Sequence, residues 1–157
     1  MQREMNFMKD AIELGRQGML NNEGGPFGCV IVKDDIIVGK GWNKVLVNND
    51  PTAHAEITAI RDACKNLGTF QLEDCEIYTS CEPCPMCMGA IYWARPGKVY
   101  YAGNRNDAAA VGFDDSLIYE ELSLPLDKRK IVIECVCRKD AQDMFKEWAA
   151  KMDRTLY

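Results

Sequence analysis

Three cysteines lie at equal spacing in residues 81–87, which read CEPCPMC, so two CxxC patterns overlap at Cys84. Such a pattern is typical of a redox dithiol, half of a disulfide framework or a metal site. The two prolines divide the stretch, because proline is tolerated only in the first turn of a helix. We therefore predict that Cys81 ends a strand. Cys84 and Cys87 then lie one helical turn apart on one face, as paired metal ligands.

A second stretch, TAHAE at residues 52–56, contains the only histidine of the chain, His54. We predict a helix from about residue 53 to 66 with Thr52 as its N-cap, so that His54 and Glu56 approach one point near its start. One imidazole and two thiolates would hold one Zn²⁺ per subunit and leave a fourth position for water or hydroxide, as in catalytic zinc sites. Glu56 would then be the general base.

The five positions His54, Glu56, Pro83, Cys84 and Cys87 match H-x-E…P-C-x-x-C. This pattern is the signature of zinc-dependent nucleobase deaminases, in which the glutamate carries protons and is not a ligand. Three other interpretations stay open. The histidine could be structural, the CxxC could be a redox dithiol, or Cys81 could close a four-ligand structural zinc module that is not an enzyme.

The elements that must position these residues alternate between strand and helix. We predict strands at 28–33, 36–42, 76–80, 98–102 and 130–137, and helices at 3–19, 53–66, 84–94, 107–111 and 140–152. The order favours an α/β fold, a three-layer αβα sandwich with a single mixed five-stranded sheet and helices on both faces. The third and fourth strands should be parallel. The last helix should bury Met144, Phe145 and Trp148.

Length and composition limit the possible classes of protein. The chain of 157 residues, with 47% hydrophobic and 27% charged residues, predicts a single domain over residues 1–157. The net charge of −5 argues against a nucleic-acid partner, and no apolar run is long enough for a membrane span. Eight cysteines without an export signal indicate a cytoplasmic protein whose cysteines serve metal binding or catalysis.

Several stretches carry a family resemblance: GGPFG, NDPTAHAE, YTSCEPCPMCMGAIYWARP, GFDDS and the C-terminal tyrosine. From about residue 24 to 157, the chain resembles the bacterial guanine deaminases of the cytidine deaminase-like superfamily. The resemblance implies that guanine and water give xanthine and ammonia in purine catabolism or salvage, with Glu56 carrying the protons.

The same resemblance implies the contacts with a purine base. Phe27 would stack on the ring, Asn43 would donate to its ring or carbonyl edge, and the backbone at Ala55 would help hold it. Asp115, or else Asp114, would accept hydrogen bonds from the base. From the residues alone, Phe27 could be core, Asn43 a turn residue, and the two aspartates caps of the next segment, residues 116–122.

The resemblance also implies a domain-swapped homodimer in which the C-terminal segment, including Tyr157, covers the partner's pocket. Gly103, Asn104 and Arg105 lie where the family varies, so that side of the pocket is unassigned. Two enzymatic alternatives follow. One is a deaminase of another small aminated heterocycle or a nucleoside. The other is a tRNA adenosine deaminase, which would need a basic surface to bind phosphates.

Overall fold

The computed structural model describes residues 1–157, which form two compact units, Met1–Asp115 and Ser116–Tyr157. The first unit contains a mixed sheet in the order β2-β1-β3-β4. Its strands are β1 (Gly28–Lys33), β2 (Ile36–Trp42), β3 (Glu76–Cys81) and β4 (Lys98–Gly103). β1 runs antiparallel to β2 and β3, and β3 and β4 are parallel as predicted.

The sheet has four strands, so the prediction of a fifth strand at residues 130–137 is wrong for the single chain. These residues are irregular even though their sequence, KIVIECVC, is rich in strand-forming types. A strand needs a neighbour that accepts and donates its backbone hydrogen bonds, and no strand of this chain pairs with the segment.

Helices cover both faces of the sheet in the first unit. The helices of this unit are α1 (Gln2–Leu20), α2 (Val45–Asn48), α3 (Ala55–Leu67), α4 (Pro85–Ala94) and α5 (Arg105–Ala109), of which α1, α3 and α4 pack on the sheet. Side chains alternate across a strand, so Cys29 and Ile31 of β1 join one buried cluster with α3 and α4. Val30 and Val32 face the opposite cluster with α1. The predicted three-layer αβα arrangement is therefore confirmed within this unit.

Helix α3 lies directly on β2, because both elements present small residues at the contact. Ala55, Ala59 and Ala63 are fully buried. A Cβ atom at Gly41 would lie 2.2 Å from the carbonyl oxygen of Ala55, and one at Gly39 would lie 2.6 Å from the Cβ of Ala63. Since neither clash could be relieved without moving the helix, this contact fixes the N-terminal end of α3 over the sheet.

The second unit is helical and contains no buried residue. Its elements are α6 (Ser116–Ser123), a short 3₁₀ helix (Leu126–Lys128) and α7 (Arg138–Ala150). The predicted last helix is thus confirmed, but the expected burial of its apolar stripe is wrong. Met144, Phe145 and Trp148 are 56%, 64% and 43% exposed. An amphipathic helix buries its stripe only where another surface packs against it.

Candidate active site

Three metal-binding side chains converge at the N-terminal ends of α3 and α4: His54, Cys84 and Cys87. His54 is the N-cap residue of α3 and Cys84 the N-cap residue of α4, and both have extended backbone angles. The Nδ1 atom of His54 lies 3.6 Å from Cys84 Sγ and 3.5 Å from Cys87 Sγ. The structure therefore brings together the three ligands predicted from the sequence.

The geometry of this group fits zinc. Tetrahedral bonds of about 2.3 Å to sulfur and about 2.0–2.1 Å to nitrogen place the nitrogen and each sulfur roughly 3.5 Å apart, which is close to the separations found here. Both helices direct the positive ends of their dipoles toward the group, which favours thiolates. Three protein ligands leave one tetrahedral position open, as in catalytic zinc sites.

The turn before α3 explains why His54, and not Thr52, caps the helix. The Thr52 backbone N–H and hydroxyl both donate to Asp50 Oδ1, at 2.8 and 2.7 Å. This bonding holds Thr52 in a separate turn, so the prediction of Thr52 as N-cap is wrong. The His54 carbonyl accepts from the Thr58 hydroxyl at 2.9 Å. The His54 carbonyl is therefore held by a hydrogen bond from α3, while the imidazole of His54 points toward the two cysteines.

The two cysteine ligands differ in how strongly they hold a proton. Interaction with the neighbouring Cys87 side chain, and then with His54, lowers the pKa of Cys84 to about 4. The pKa of Cys87 is raised, first by its interaction with Cys84 and then by burial. Cys84 is therefore already a thiolate at neutral pH. Binding of zinc to both sulfurs would release the Cys87 proton.

Glu56 lies in the first turn of α3, beside the metal ligands, with only 5% of its surface exposed. Its Oε2 atom accepts a hydrogen bond from Cys87 Sγ at 3.4 Å. Burial raises the pKa of this carboxyl above its usual value, so it takes up a proton more readily than an exposed glutamate. A buried acid beside three metal-binding side chains has the properties that a proton carrier needs.

Cys81, the third cysteine of CEPCPMC, is not part of the metal-binding group. It ends β3, as predicted, and its sulfur lies 3.6 Å from the Asn104 carbonyl oxygen. Burial raises the pKa of the Cys81 thiol to about 11, so it stays protonated at neutral pH. This placement argues against the closed four-ligand zinc module.

We expect Cys81→Ala to keep full zinc content and activity within about threefold of the unmodified protein, because the lost thiol makes only a weak contact. Metal analysis of the purified protein and a turnover assay measure both quantities. Cys84→Ala, three residues away, is the matched control and should lose zinc. Zinc loss in Cys81→Ala comparable to that in Cys84→Ala would contradict the three-ligand site.

An aromatic pair and a fixed amide come from three loops, with Phe27 before β1, Asn43 after β2 and Phe113 after α5. The Phe27 and Phe113 rings meet edge to face, with centroids 4.9 Å apart and an interplanar angle of 86°. Phe27 also packs against the buried cluster under α3, so it belongs partly to the core. The Asn43 Oδ1 atom accepts from the backbone N–H groups of Gly25 and Val45, at 3.2 Å each. The Asn43 side chain therefore presents its NH₂ group as a donor.

The remaining candidate residues differ in their surroundings. Ala55 is fully buried at the first position of α3, so its backbone lies between His54 and Glu56. Asp115 is partly buried, and burial followed by the negative charge of Cys84 raises its pKa. Asp114 is exposed, and Tyr157 is exposed in the second unit. The roles of these residues toward a substrate stay predictions.

Two contacts were not foreseen from the sequence. The Phe113 ring supports Phe27, whereas the sequence predicted a role only for the acids beside Phe113. An aromatic residue next to two aspartates could have signalled it, since flat ligands require both types. The Glu82 carboxylate accepts a hydrogen bond from the Arg105 backbone N–H, 23 residues further along the chain. No local sequence pattern indicates such a contact.

Comparison with known proteins agrees with this site. Residues 1–103 match the family described as the cytidine and deoxycytidylate deaminase zinc-binding region, and the chain belongs to this family. It is 55% identical over 142 residues to the guanine deaminase of Bacillus subtilis (strain 168), covering 90% of this chain and 91% of that protein. The resemblance inferred from the motifs is thereby confirmed.

A solved structure and a more distant relative complete the comparison. The X-ray structure of guanine deaminase from Bacillus subtilis superimposes with a TM-score of 0.95 and 52% identity, covering 98% of both chains. A tRNA-specific adenosine deaminase from Aquifex aeolicus (strain VF5) is 32% identical over 147 residues, covering 93% of each chain. The chain is thus considerably more similar to the guanine deaminase than to this tRNA deaminase.

Proposed function

We propose that this protein catalyses the hydrolytic deamination of guanine to xanthine and ammonia. The observation that carries the proposal is the buried Glu56 beside a His54–Cys84–Cys87 group, in a chain so similar to a guanine deaminase. In the reaction a C–O bond forms at the amine-bearing carbon of guanine and its C–N bond breaks. The leaving nitrogen must gain a proton that the attacking water gives up.

The residues of the zinc group prepare the site for this chemistry. His54, Cys84 and Cys87 would hold one zinc ion per subunit, and zinc, when bound, acts as a Lewis acid that lowers the pKa of water. Two thiolates offset the charge of the ion, so a base beside the site is needed to remove the water proton. Glu56 takes that proton, passes it to a ring nitrogen and then delivers it to the departing amine.

The purine base of the substrate would be held by several groups around the zinc-binding residues. Phe27, fixed by the Phe113 edge, offers an aromatic surface for the purine ring. The Asn43 NH₂ group requires an acceptor on the substrate, which guanine provides at its carbonyl and ring nitrogens. Asp115 accepts from the N–H groups of guanine, and the backbone at Ala55 completes the contacts. Asp114, which is exposed, is the second choice for this acceptor.

An ammonia-release assay over guanine, guanosine, adenine, cytosine and cytidine, with transfer RNA as a sixth substrate, tests the proposal. We expect guanine to have the highest kcat/KM. Release of ammonia from a nucleoside or another aminated heterocycle, but not from guanine, would favour a deaminase of that other class of substrate. Release from transfer RNA alone would favour a tRNA adenosine deaminase, which the net charge of −5 argues against.

The thiol content and the helices of the chain bear on its location and on its binding partners. All eight cysteines are free thiols, which fits the reducing cytoplasm. None of the helices combines the length and apolar character of a membrane span. We infer a small-molecule purine base as the partner of the site, with no nucleic acid and no membrane.

A domain-swapped homodimer is the second part of the proposal. It is supported by the exposed apolar side chains of the second unit, which include Val132, Val136 and Phe145. It is also supported by β4, an edge strand, and by Tyr92, which is exposed on α4. Residues 130–137 of one chain would pair with β4 of another and complete the predicted five-stranded sheet. Light scattering should give twice the 17.7 kDa chain mass, and a monomer would contradict this arrangement.

In such a dimer the last residues would cover the partner's pocket, so we expect deletion of Leu156 and Tyr157 to lower kcat/KM for guanine. Loss of one hydrogen bond worth about 1.5 kcal/mol lowers kcat/KM about 10-fold, and a pocket that is no longer covered lowers it further. Zinc content and dimer mass should not change. Met152→Ala, another exposed residue of the same segment, is the control. Full activity of the truncated protein would rule out a covering role.

A further inference from the structure

The loop between β3 and α4 contains an acid, Glu82, to which the proposed reaction gives no role. Glu82 is partly buried and lies two residues before the metal ligand Cys84. Its backbone N–H donates to the Gly103 carbonyl at 2.8 Å, and its Oε2 accepts from the Arg105 N–H at 3.1 Å. Glu82 therefore joins the loop before Cys84 to the end of β4 by one hydrogen bond and to the start of α5 by another.

The second of these bonds completes the N-terminal cap of α5. The Asn104 Oδ1 atom accepts from the N–H groups of Asn106 and Asp107, and Asp107 Oδ2 accepts from the Asn104 N–H. Arg105 is the first helical residue, and its N–H donates to Glu82, which lies on a different segment of the chain. A helix of only five residues depends on its caps, because short helices are marginal alone.

The position of α5 in turn sets the position of residues that would contact the base. After α5 the chain turns back on itself, and the Phe113 N–H donates to the Ala108 carbonyl at 3.0 Å. Phe113 then meets the Phe27 ring edge to face. Two residues later, Asp115 lies within electrostatic range of Cys84 and Arg105. A shift of α5 would therefore move Phe113 and Asp115 relative to the metal ligands.

We propose that Glu82 is a positioning residue, whose carboxylate holds α5 against the loop before Cys84 and so places Asp115 and Phe113 for substrate recognition. This role rests on the proposed function, since Asp115 and Phe27 are taken to contact the base. It requires only that Glu82 accept a hydrogen bond, so a glutamine at this position should serve nearly as well. It also predicts that part of the effect of Glu82 on turnover is transmitted through Asp115.

The test compares Glu82→Ala with Glu82→Gln in the zinc-loaded protein. We expect Glu82→Ala to lower kcat/KM for guanine about 10- to 100-fold, mainly through KM, because small displacements of contacting groups have effects of that size. Glu82→Gln keeps an acceptor oxygen and should stay within about threefold of the unmodified protein. Glu73→Ala, which removes an exposed acid, should change nothing. Zinc content should be equal in all four proteins.

A double-mutant cycle separates positioning from general destabilisation. In an Asp115→Ala background, Glu82→Ala should lower kcat/KM clearly less than it does in the unmodified protein, because one of the two residues it positions, Asp115, is already absent. The full 10- to 100-fold loss in that background, zinc loss in Glu82→Ala, or equal losses in Glu82→Ala and Glu82→Gln would each overturn the proposal.

Amide hydrogen exchange of residues 104–115 gives a measurement independent of turnover. Exchange should be faster in Glu82→Ala than in the unmodified protein and near normal in Glu82→Gln. Unchanged exchange in Glu82→Ala would overturn the positioning role even if guanine were not the substrate. Failure of the unmodified protein to release ammonia from guanine would instead contradict only the proposed function. The two failures are thus distinguishable.

Discussion

Glu56→Gln is expected to lower kcat for guanine by about 10²- to 10⁴-fold, the usual contribution of a general acid–base group. The amide has nearly the size of the carboxyl, so it can occupy the same buried position in the first turn of α3. It cannot accept a proton from water and pass it to the leaving amine. The rate of ammonia release at saturating guanine measures the effect.

Zinc analysis and binding of a non-reacting purine base are the controls for Glu56→Gln. Both should be close to those of the unmodified protein, because Glu56 is not among the three metal ligands. Glu13→Gln, which alters an exposed acid on α1, should have no effect on turnover. If Glu56→Gln retained more than a tenth of the turnover, its role as proton carrier would have to be abandoned.

Loss of a metal ligand should have an equally large effect by a different route. We expect Cys87→Ala to lose zinc and to lower ammonia release to background, because two ligands are too few to hold the ion in a catalytic site. The measurements are metal content after dialysis and turnover with added Zn²⁺. Added Zn²⁺ should not rescue the variant at concentrations that fully restore the unmodified protein after chelation.

Cys135→Ala is the matched control for Cys87→Ala, since Cys135 is an exposed thiol in the second unit. It should keep its zinc and its activity. Equal zinc content in Cys87→Ala and the unmodified protein would show that the ion is held by other residues. The Glu56→Gln and Cys87→Ala results together separate the two functions of the site, since only the second should change metal content.

The metal site could be predicted from the sequence because the residues that determine it are neighbours in the chain or are unique in it. Proline positions fixed where α4 begins, and that start decides which two cysteines share a face. A single histidine left only one choice of imidazole. The prediction of Thr52 as the N-cap residue of α3 was wrong for a reason that is equally local. The Thr52 hydroxyl donates to a neighbouring acid, Asp50, at 2.7 Å, within a turn that precedes the helix.

Features that depend on distant segments could not be predicted in this way. Residues 130–137 have the composition of a strand, but composition does not tell whether a neighbouring strand is present. The apolar stripe of α7 shows the same difficulty, since its periodicity predicts a helix and leaves its packing partner open. The contact of Glu82 with Arg105 joins residues whose separation follows no helical or strand repeat.

The close contact of α3 with β2 also determines how this sequence can change. Gly41 touches neither the metal ligands nor the proposed substrate contacts, yet a methyl group there would displace the Ala55 carbonyl, one residue from His54 and Glu56. In a scan of all single substitutions, Gly41 should therefore be nearly as intolerant as the catalytic positions. Sequence divergence in this protein is limited by the absence of side chains under α3 as much as by the chemistry at its end.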